Sequence, residues 1–296
     1  MVSIYCTLFS IIYIFQAVTA SNLNDPHTVV RKAQNSESRP VIYTFFELKR
    51  RIRKSEPSKA HMELLETWKD LWSQAGWEPR ILTLDDAKKH PDFEKYSKAI
   101  ITKGNLYEGS YDYMCFMRWL AMTAHGQGGW MSDNDVFPTG ITVTYGTNLP
   151  NDGKFTDWDI HVPSLLSGSS EEWNRMTSLV LTHAIEEVQH SKWYSDMECL
   201  RDLHAEDPKL YKQGWKKVFK GFPYRDLNKV DCSGDISRSI AVHLSHTKTG
   251  YAIGHGLVPY SEKRGDIGSN IEKLRPNFAR ELDKNFKRQC LETNEK

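Results

Sequence analysis

Tyr111-Asp112-Tyr113-Met114-Cys115-Phe116-Met117-Arg118-Trp119-Leu120-Ala121-Met122 and, just after it, Gly128-Gly129-Trp130-Met131-Ser132-Asp133-Asn134-Asp135-Val136-Phe137-Pro138 carry most of what this chain reveals about its fold. The first stretch reads as an apolar helix and Gly128-Gly129 as a turn. The residues that follow read as a short buried strand with two carboxylates at its end. Strand side chains alternate in direction, so Asp133 and Asp135 are expected to face the same way. Two hard oxygen ligands converging on one point suit Mg²⁺ or Mn²⁺.

The spacing alone is weak, because the chain holds a second copy, Asp157-Trp158-Asp159. The setting singles out the first copy. Trp130-Met131 leads into it, Val136-Phe137-Pro138 leads out, and Gly128-Gly129 permits a tight backbone approach. Acids within an apolar segment are costly unless they bind a metal or are paired.

Working outward, Val41-Ile42-Tyr43-Thr44-Phe45-Phe46 has strand character. Ser55-Glu56-Pro57-Ser58 marks a helix start, and Met62, Leu64, Leu65, Trp68, Leu71 and Trp72 follow at helical spacing to Gly76. Arg80-Ile81-Leu82-Thr83-Leu84 reads as the next strand. Strand, helix, strand opens a parallel α/β sheet whose ligands sit at the strands' carboxyl ends. Further on, Ile160-His161-Val162 reads as a strand, about Glu171 through Trp193 as one long helix, and Ile236 to His246 with Gly250 to Gly256 as the close of the globular part.

The 296 residues can bury one large core. Lys+Arg of 39 against Asp+Glu of 38 leaves a formal charge of +1, which gives no reason to expect a nucleic-acid partner. The local exception, Lys49-Arg50-Arg51-Ile52-Arg53-Lys54, reads as a solvated surface segment. Nine Trp and thirteen Tyr suit either sugar stacking or core filling.

Ile4 to Val18 is apolar, and Val18-Thr19-Ala20 offers small side chains for cleavage before Ser21. Residues 1–20 therefore read as a signal peptide or signal anchor, 21–39 as a flexible stem, 40–290 as the globular domain and 291–296 as a tail. The body is expected in the secretory lumen (Golgi or endoplasmic reticulum) or outside the cell, with membrane contact only through an uncleaved N-terminal segment. Beyond Cys6 the cysteines are Cys115, Cys199, Cys232 and Cys290, and their spacing leaves the pairing open. Cys115, within an apolar helix, reads as a buried thiol.

Arg118, Gly128-Gly129-Trp130-Met131 and Asp133-x-Asp135, with Trp68, Trp72 and Gly76-Trp77 before the second strand, resemble the Asp-x-Asp glycosyltransferases of the sugar-binding-region type. That group includes yeast Golgi mannosyltransferases and the glucosyltransferase domains of clostridial toxins. The resemblance spans about Val41 to Pro138. It implies a single GT-A-like α/β domain with a Rossmann-type, mostly parallel central sheet flanked by helices. The implied activity moves a sugar from a nucleoside-diphosphate sugar to an acceptor hydroxyl of a glycan, lipid or protein, with Mn²⁺ or Mg²⁺. The chain departs from the family at Cys115, where an Asp is common, and Asp112 lies on another helical face.

Carried over position by position, Asp135 is expected to ligate the metal and Asp133 to contact the ribose or the metal. Arg118 is expected to face the sugar diphosphate. Tyr43, Thr44 and Phe45 at the first strand's end would flank the base, and Gly168, between Ser167 and Ser169, would meet the donor sugar. Such folds often take a further ligand, commonly His, from a C-terminal strand or loop. Here Ala241-Val242-His243-Leu244-Ser245-His246 offers His243 and His246, with His246 preferred because it sits nearer a loop. An inverting reaction also needs a carboxylate base. Asp157, Asp159, Asp231 and Asp235 are the candidates, and Asp235 is taken because it lies just before the His segment. Two other readings compete: a secreted carbohydrate- or nucleotide-sugar-binding protein without turnover, and an Asp-x-Asp phosphatase.

Overall fold

The computed structural model describes residues 39–47, 59–104, 106–188, 194–215, 217–219, 224–226, 229–230, 232, 235–255 and 267–291. The expected signal segment, the stem up to residue 38, the basic segment Lys49–Lys54, the helix start at Ser55, Asp231 and the tail after Leu291 lie outside the described residues.

In chain order the N-terminal elements are β1 (Val41–Phe45), α1 (Lys59–Gln74), β2 (Glu78–Leu82), α2 (Leu84–Ala87), α3 (Phe93–Gly104), α4 (Tyr111–His125) and β3 (Gly129–Ser132). Next come β4 (Val136–Pro138), α5 (Thr144–Thr147), β5 (Thr156–Asp157), β6 (Leu165–Gly168), α6 (Ser170–Glu187) and α7 (Asp196–Glu206). The remaining elements are β7 (Lys212–Gln213), β8 (Val218–Phe219), β9 (Tyr224–Asp226), β10 (Lys229–Val230), β11 (Ala241–His243), α8 (His246–Gly254) and α9 (Ile267–Phe286). Among the described residues no helix is long and apolar enough to cross a membrane.

The α/β class is plain, and the central sheet is mixed. Its six strands run in the order β2-β1-β3-β6-β5-β7. β2, β1 and β3 are parallel, as expected of strands joined through helices. On the far side β6 runs antiparallel to both β3 and β5, and β7 is parallel to β5. Five of the six strands therefore share one direction, as the mostly parallel expectation has it, and β6 alone runs against them. The chain leaves β1 toward β2 and then returns to β3 on the other side of β1. The order thus reverses between β1 and β3, and a crevice forms at their carboxyl ends.

Alternation along the strands feeds two cores. Tyr43 and Met131 join Phe116, Trp119 and Trp173 under α4 and α6. Ile42 and Trp130 join Trp68, Trp72, Trp77 and Trp158 on the α1 and α9 side. Seven Trp are among the largest fully buried side chains, so aromatic richness here is mainly core packing. Gly128 has φ +66, and a Cβ there would meet the Ser170 backbone nitrogen at 2.4 Å. The chain can pass the start of α6 that closely only without a side chain.

Three sequence expectations give way. Ile160 and His161 are not a strand; both have positive φ (44 and 68), and they form a turn held by Asp157. The strand lies a few residues later, at Leu165–Gly168. The long helix stops at Glu187. The separate α7 follows, announced by a capping box in which the Ser195 hydroxyl and backbone both reach Glu198. Finally, β11 ends at His243, and His246 opens α8 behind its Ser245 cap. Cys232 and Cys290 form a disulfide, Cα to Cα 5.3 Å, and Cys115 and Cys199 are buried thiols.

Candidate metal centre

Strand β3 ends at Ser132, so Asp133-Asn134-Asp135 is a turn into β4 and not a strand end. The Val136 amide donates to the Asp133 carbonyl at 3.2 Å and closes that turn. Helix α1 clamps both sides of it. The indole N–H of Trp68 donates to Ser132 Oγ at 2.9 Å, and that of Trp72 to the Val136 carbonyl at 3.0 Å. Two Trp four residues apart share one helical face, so a single rigid helix holds the acidic turn from both flanks.

The β4–β11 ladder then selects the histidine. Val136 pairs directly with His243, and the Leu244 amide donates to the Asp135 carbonyl at 2.9 Å. His243 Nε2 lies 3.5 Å from Asp135 Oδ1. One ligand atom each from Asp133, Asp135 and His243 lies within 4.8 Å of the others. Donors on a cation with bonds of about 2.1 Å sit roughly 3–4 Å apart, so small torsional adjustments bring these three into range. Of the two histidines named from sequence, His243 joins the acids, while the preferred His246 lines the same pocket but is not part of this cluster.

The other Asp-x-Asp pair serves the first. Asp159, fully buried, accepts from Ser164 Oγ at 2.6 Å and faces His243 Nδ1 at 3.1 Å. Donation of Nδ1–H to Asp159 would leave Nε2 turned toward Asp135, the arrangement by which outer carboxylates orient metal-binding imidazoles. Asp157, also fully buried, accepts from the Asp159 amide at 2.9 Å and from the His161 amide.

Two arginines flank the acids. Arg118, on α4, donates from Nη1 to Asp133 Oδ1 at 2.7 Å and from Nε to Asp196 Oδ2 at 2.6 Å. The Trp119 indole adds a bond to the same Asp196 oxygen at 2.9 Å. Arg275, on α9, donates from Nη2 to Asp135 Oδ2 at 2.5 Å. Burial opposes charge on Asp135, but His243 and Arg275 outweigh it and hold the carboxyl at about 2. For Asp133 burial wins over Arg118 and pushes its pKa up. Burial also opposes charge on His243, yet Asp135 beside it raises its pKa.

These groups open onto a pocket of about 820 Å³ at the β1/β3 switch point, lined by Phe45 at the end of β1, Glu47 just after it, and Tyr111, Cys115 and Arg118 on α4. Of the residues expected to hold a nucleotide, Phe45 lines it. Tyr43 instead packs in the core with its hydroxyl on His125, and Thr44 is fully buried. Gly168 pairs with Gly129, at the opposite end of β3 from the acids, so it does not reach this pocket. Asp235 begins a 3-10 turn (Asp235–Arg238) leading to β11. Asp157 and Asp159 are committed to the contacts above and are not available as an acceptor base. Sequence reasoning missed Asp196 and Arg275. The α7 capping box was a readable signal for the first, and nothing local marks the second.

Comparison with curated proteins and with solved structures returns no match. A family model does match, over residues 30–196 and so over more than half of the chain: the protein belongs to the family described as a domain of unknown function (DUF8765).

Proposed function

We propose that this protein is a metal-dependent glycosyltransferase with a GT-A-like domain, moving a sugar from a nucleoside-diphosphate sugar to an acceptor hydroxyl. The observation that carries this reading is the convergence of Asp133, Asp135 and His243 within 4.8 Å on the wall of the switch-point pocket. Two oxygens and an imidazole suit Mn²⁺, with Mg²⁺ as the alternative. The charges agree: Asp133, Asp135, Asp159 and Asp196 stand against Arg118 and Arg275, leaving two negative charges when His243 is neutral. The pocket volume lies within the range of about 300–1,000 Å³ usual for small-molecule sites.

When bound, the cation supplies neutralisation of the charge that develops on the departing nucleoside diphosphate. The chain's own residues do the rest. Arg118 is fixed by Asp196, so its guanidinium stands beside Asp133 without having to be ordered during the reaction. Asp159 keeps the His243 lone pair aimed at the ligand cluster, and Trp68 and Trp72 keep the acidic turn in register. The proposal includes a secretory-lumen or extracellular setting. The Cys232–Cys290 disulfide supports it, since such bonds persist in oxidising compartments.

Thermal melting with a panel of nucleoside diphosphates, with and without Mn²⁺, tests the reading. A ligand at a hundredfold excess over its dissociation constant stabilises by about 2.7 kcal/mol. The expected outcome is a rise in melting temperature for one nucleotide that needs Mn²⁺ and disappears in Asp135→Asn. A cooperative melt that no nucleotide moves would overturn the proposal.

A further inference from the structure

The two arginines at the centre are held differently. Arg118 uses Nε, Nη1 and Nη2, all on carboxylate oxygens of Asp133 and Asp196. Arg275 reaches Asp135 through Nη2 alone, and its Nε–H is buried with no hydrogen-bond partner. The residue is 7 % exposed and lines the pocket. A buried donor left unmade costs about 1–3 kcal/mol, which an arginine with only a structural role avoids by forking onto its carboxylate. Arg275 is thus a charge placed at the centre with donor capacity to spare.

Its partner oxygen belongs to a carboxylate of the ligand cluster. We propose that Arg275 is a two-position residue: it neutralises Asp135 when no divalent cation is bound, and turns to the diphosphate of the donor when one is. This rests on the metal and nucleotide-sugar reading above. Ligation of Asp135 to a dication sets that charge against the guanidinium within a few ångströms, so the contact that now holds Arg275 weakens. A diphosphate offers several oxygens to a planar fork with unused N–H groups. Arg275 thereby couples the two ligands. It opposes cation binding alone and favours cation binding with the diphosphate, which ties metal loading to the presence of donor.

The test uses the full chain and isothermal titration with Mn²⁺ alone, then with inorganic pyrophosphate at saturating Mn²⁺. Arg275→Met removes the charge and keeps the bulk. It is expected to bind Mn²⁺ alone about tenfold more tightly, because a competing cation is gone, and pyrophosphate at least about tenfold more weakly. Arg275→Lys keeps the charge and loses the fork. It should hold Mn²⁺ affinity near wild type while weakening pyrophosphate, and it serves as the test if the Met variant fails to melt cooperatively. A variant in which both affinities fall together marks a structural residue and overturns the inference. Unchanged pyrophosphate binding in both variants overturns it as well, and leaves the metal reading standing. Wild-type protein that binds no Mn²⁺ removes both.

Discussion

The chain contains Asp-x-Asp twice, and the two copies have opposite fates. Asp133 and Asp135 sit in a turn at the pocket wall, their side chains 33 % and 13 % exposed, facing arginines and an imidazole. Asp157 and Asp159, 24 residues later, are fully buried and accept backbone amides, a serine hydroxyl and the far side of that same imidazole. The motif is therefore not the site. On the proposed reading the first pair holds a charge that comes and goes, while the second holds protein groups in place. His243 lies between them, and it makes the second pair a support for the first.

That contrast breaks or sharpens on substitution. The largest effect is expected from Asp135→Asn, which removes a proposed direct ligand: Mn²⁺ affinity by titration should fall more than about a hundredfold, beyond the range seen for outer-shell groups. Asp159→Asn should cost about 10–100-fold, because it acts only through the orientation of His243. Equal losses in the two variants would erase the distinction between ligand and support. Asp157→Ala should instead lower stability, by about 1–3 kcal/mol for the amides it strands, while Mn²⁺ affinity in the folded protein stays within a few-fold. A Mn²⁺ loss as large as that of Asp135→Asn would show that the second pair belongs to the centre itself.

The smallest effect concerns acid. The Asp135 carboxyl is held at about 2 in the fold, below the roughly 3.9 of an unfolded chain. A depressed carboxyl contributes stability that is complete above the unfolded value and drains away as pH falls toward the folded one. Metal-free protein should therefore lose part of its melting temperature between about pH 4 and pH 2, and Asp135→Asn should lose less over the same window. Parallel curves for the two proteins would show that Asp135 is not held down by His243 and Arg275.

Much of the first half was readable because its signals are local. Trp68 and Trp72 at helical spacing, the apolar run from Tyr113 to Met122, and the Gly128-Gly129 turn each state their conformation within a few residues. Where the local signal was short or two-sided, reading failed. Ile160-His161-Val162 has strand-forming side chains, yet Asp157 reaches forward to the His161 amide and bends the chain into positive φ. His243 and His246 are three residues apart and chemically equivalent on paper. The register of β11 against β4 separates them by setting His243 opposite Val136.

The amino-acid sequence by itself determined the strand–helix–strand opening, the pair of acids between apolar flanks and the helix that carries Arg118, since each follows from side-chain periodicity over a dozen residues. Only the tertiary structure decided that β6 runs against the other strands of the sheet, that His243 joins the acids, that Asp159 supports it, and that Asp196 and Arg275 face Arg118 and Asp135 across 78 and 140 residues of chain. The physical reason is that electrostatic complementarity acts through space. A carboxylate and a guanidinium need only meet in the fold, and nothing in the residues beside either one records which partner the packing of distant helices will deliver.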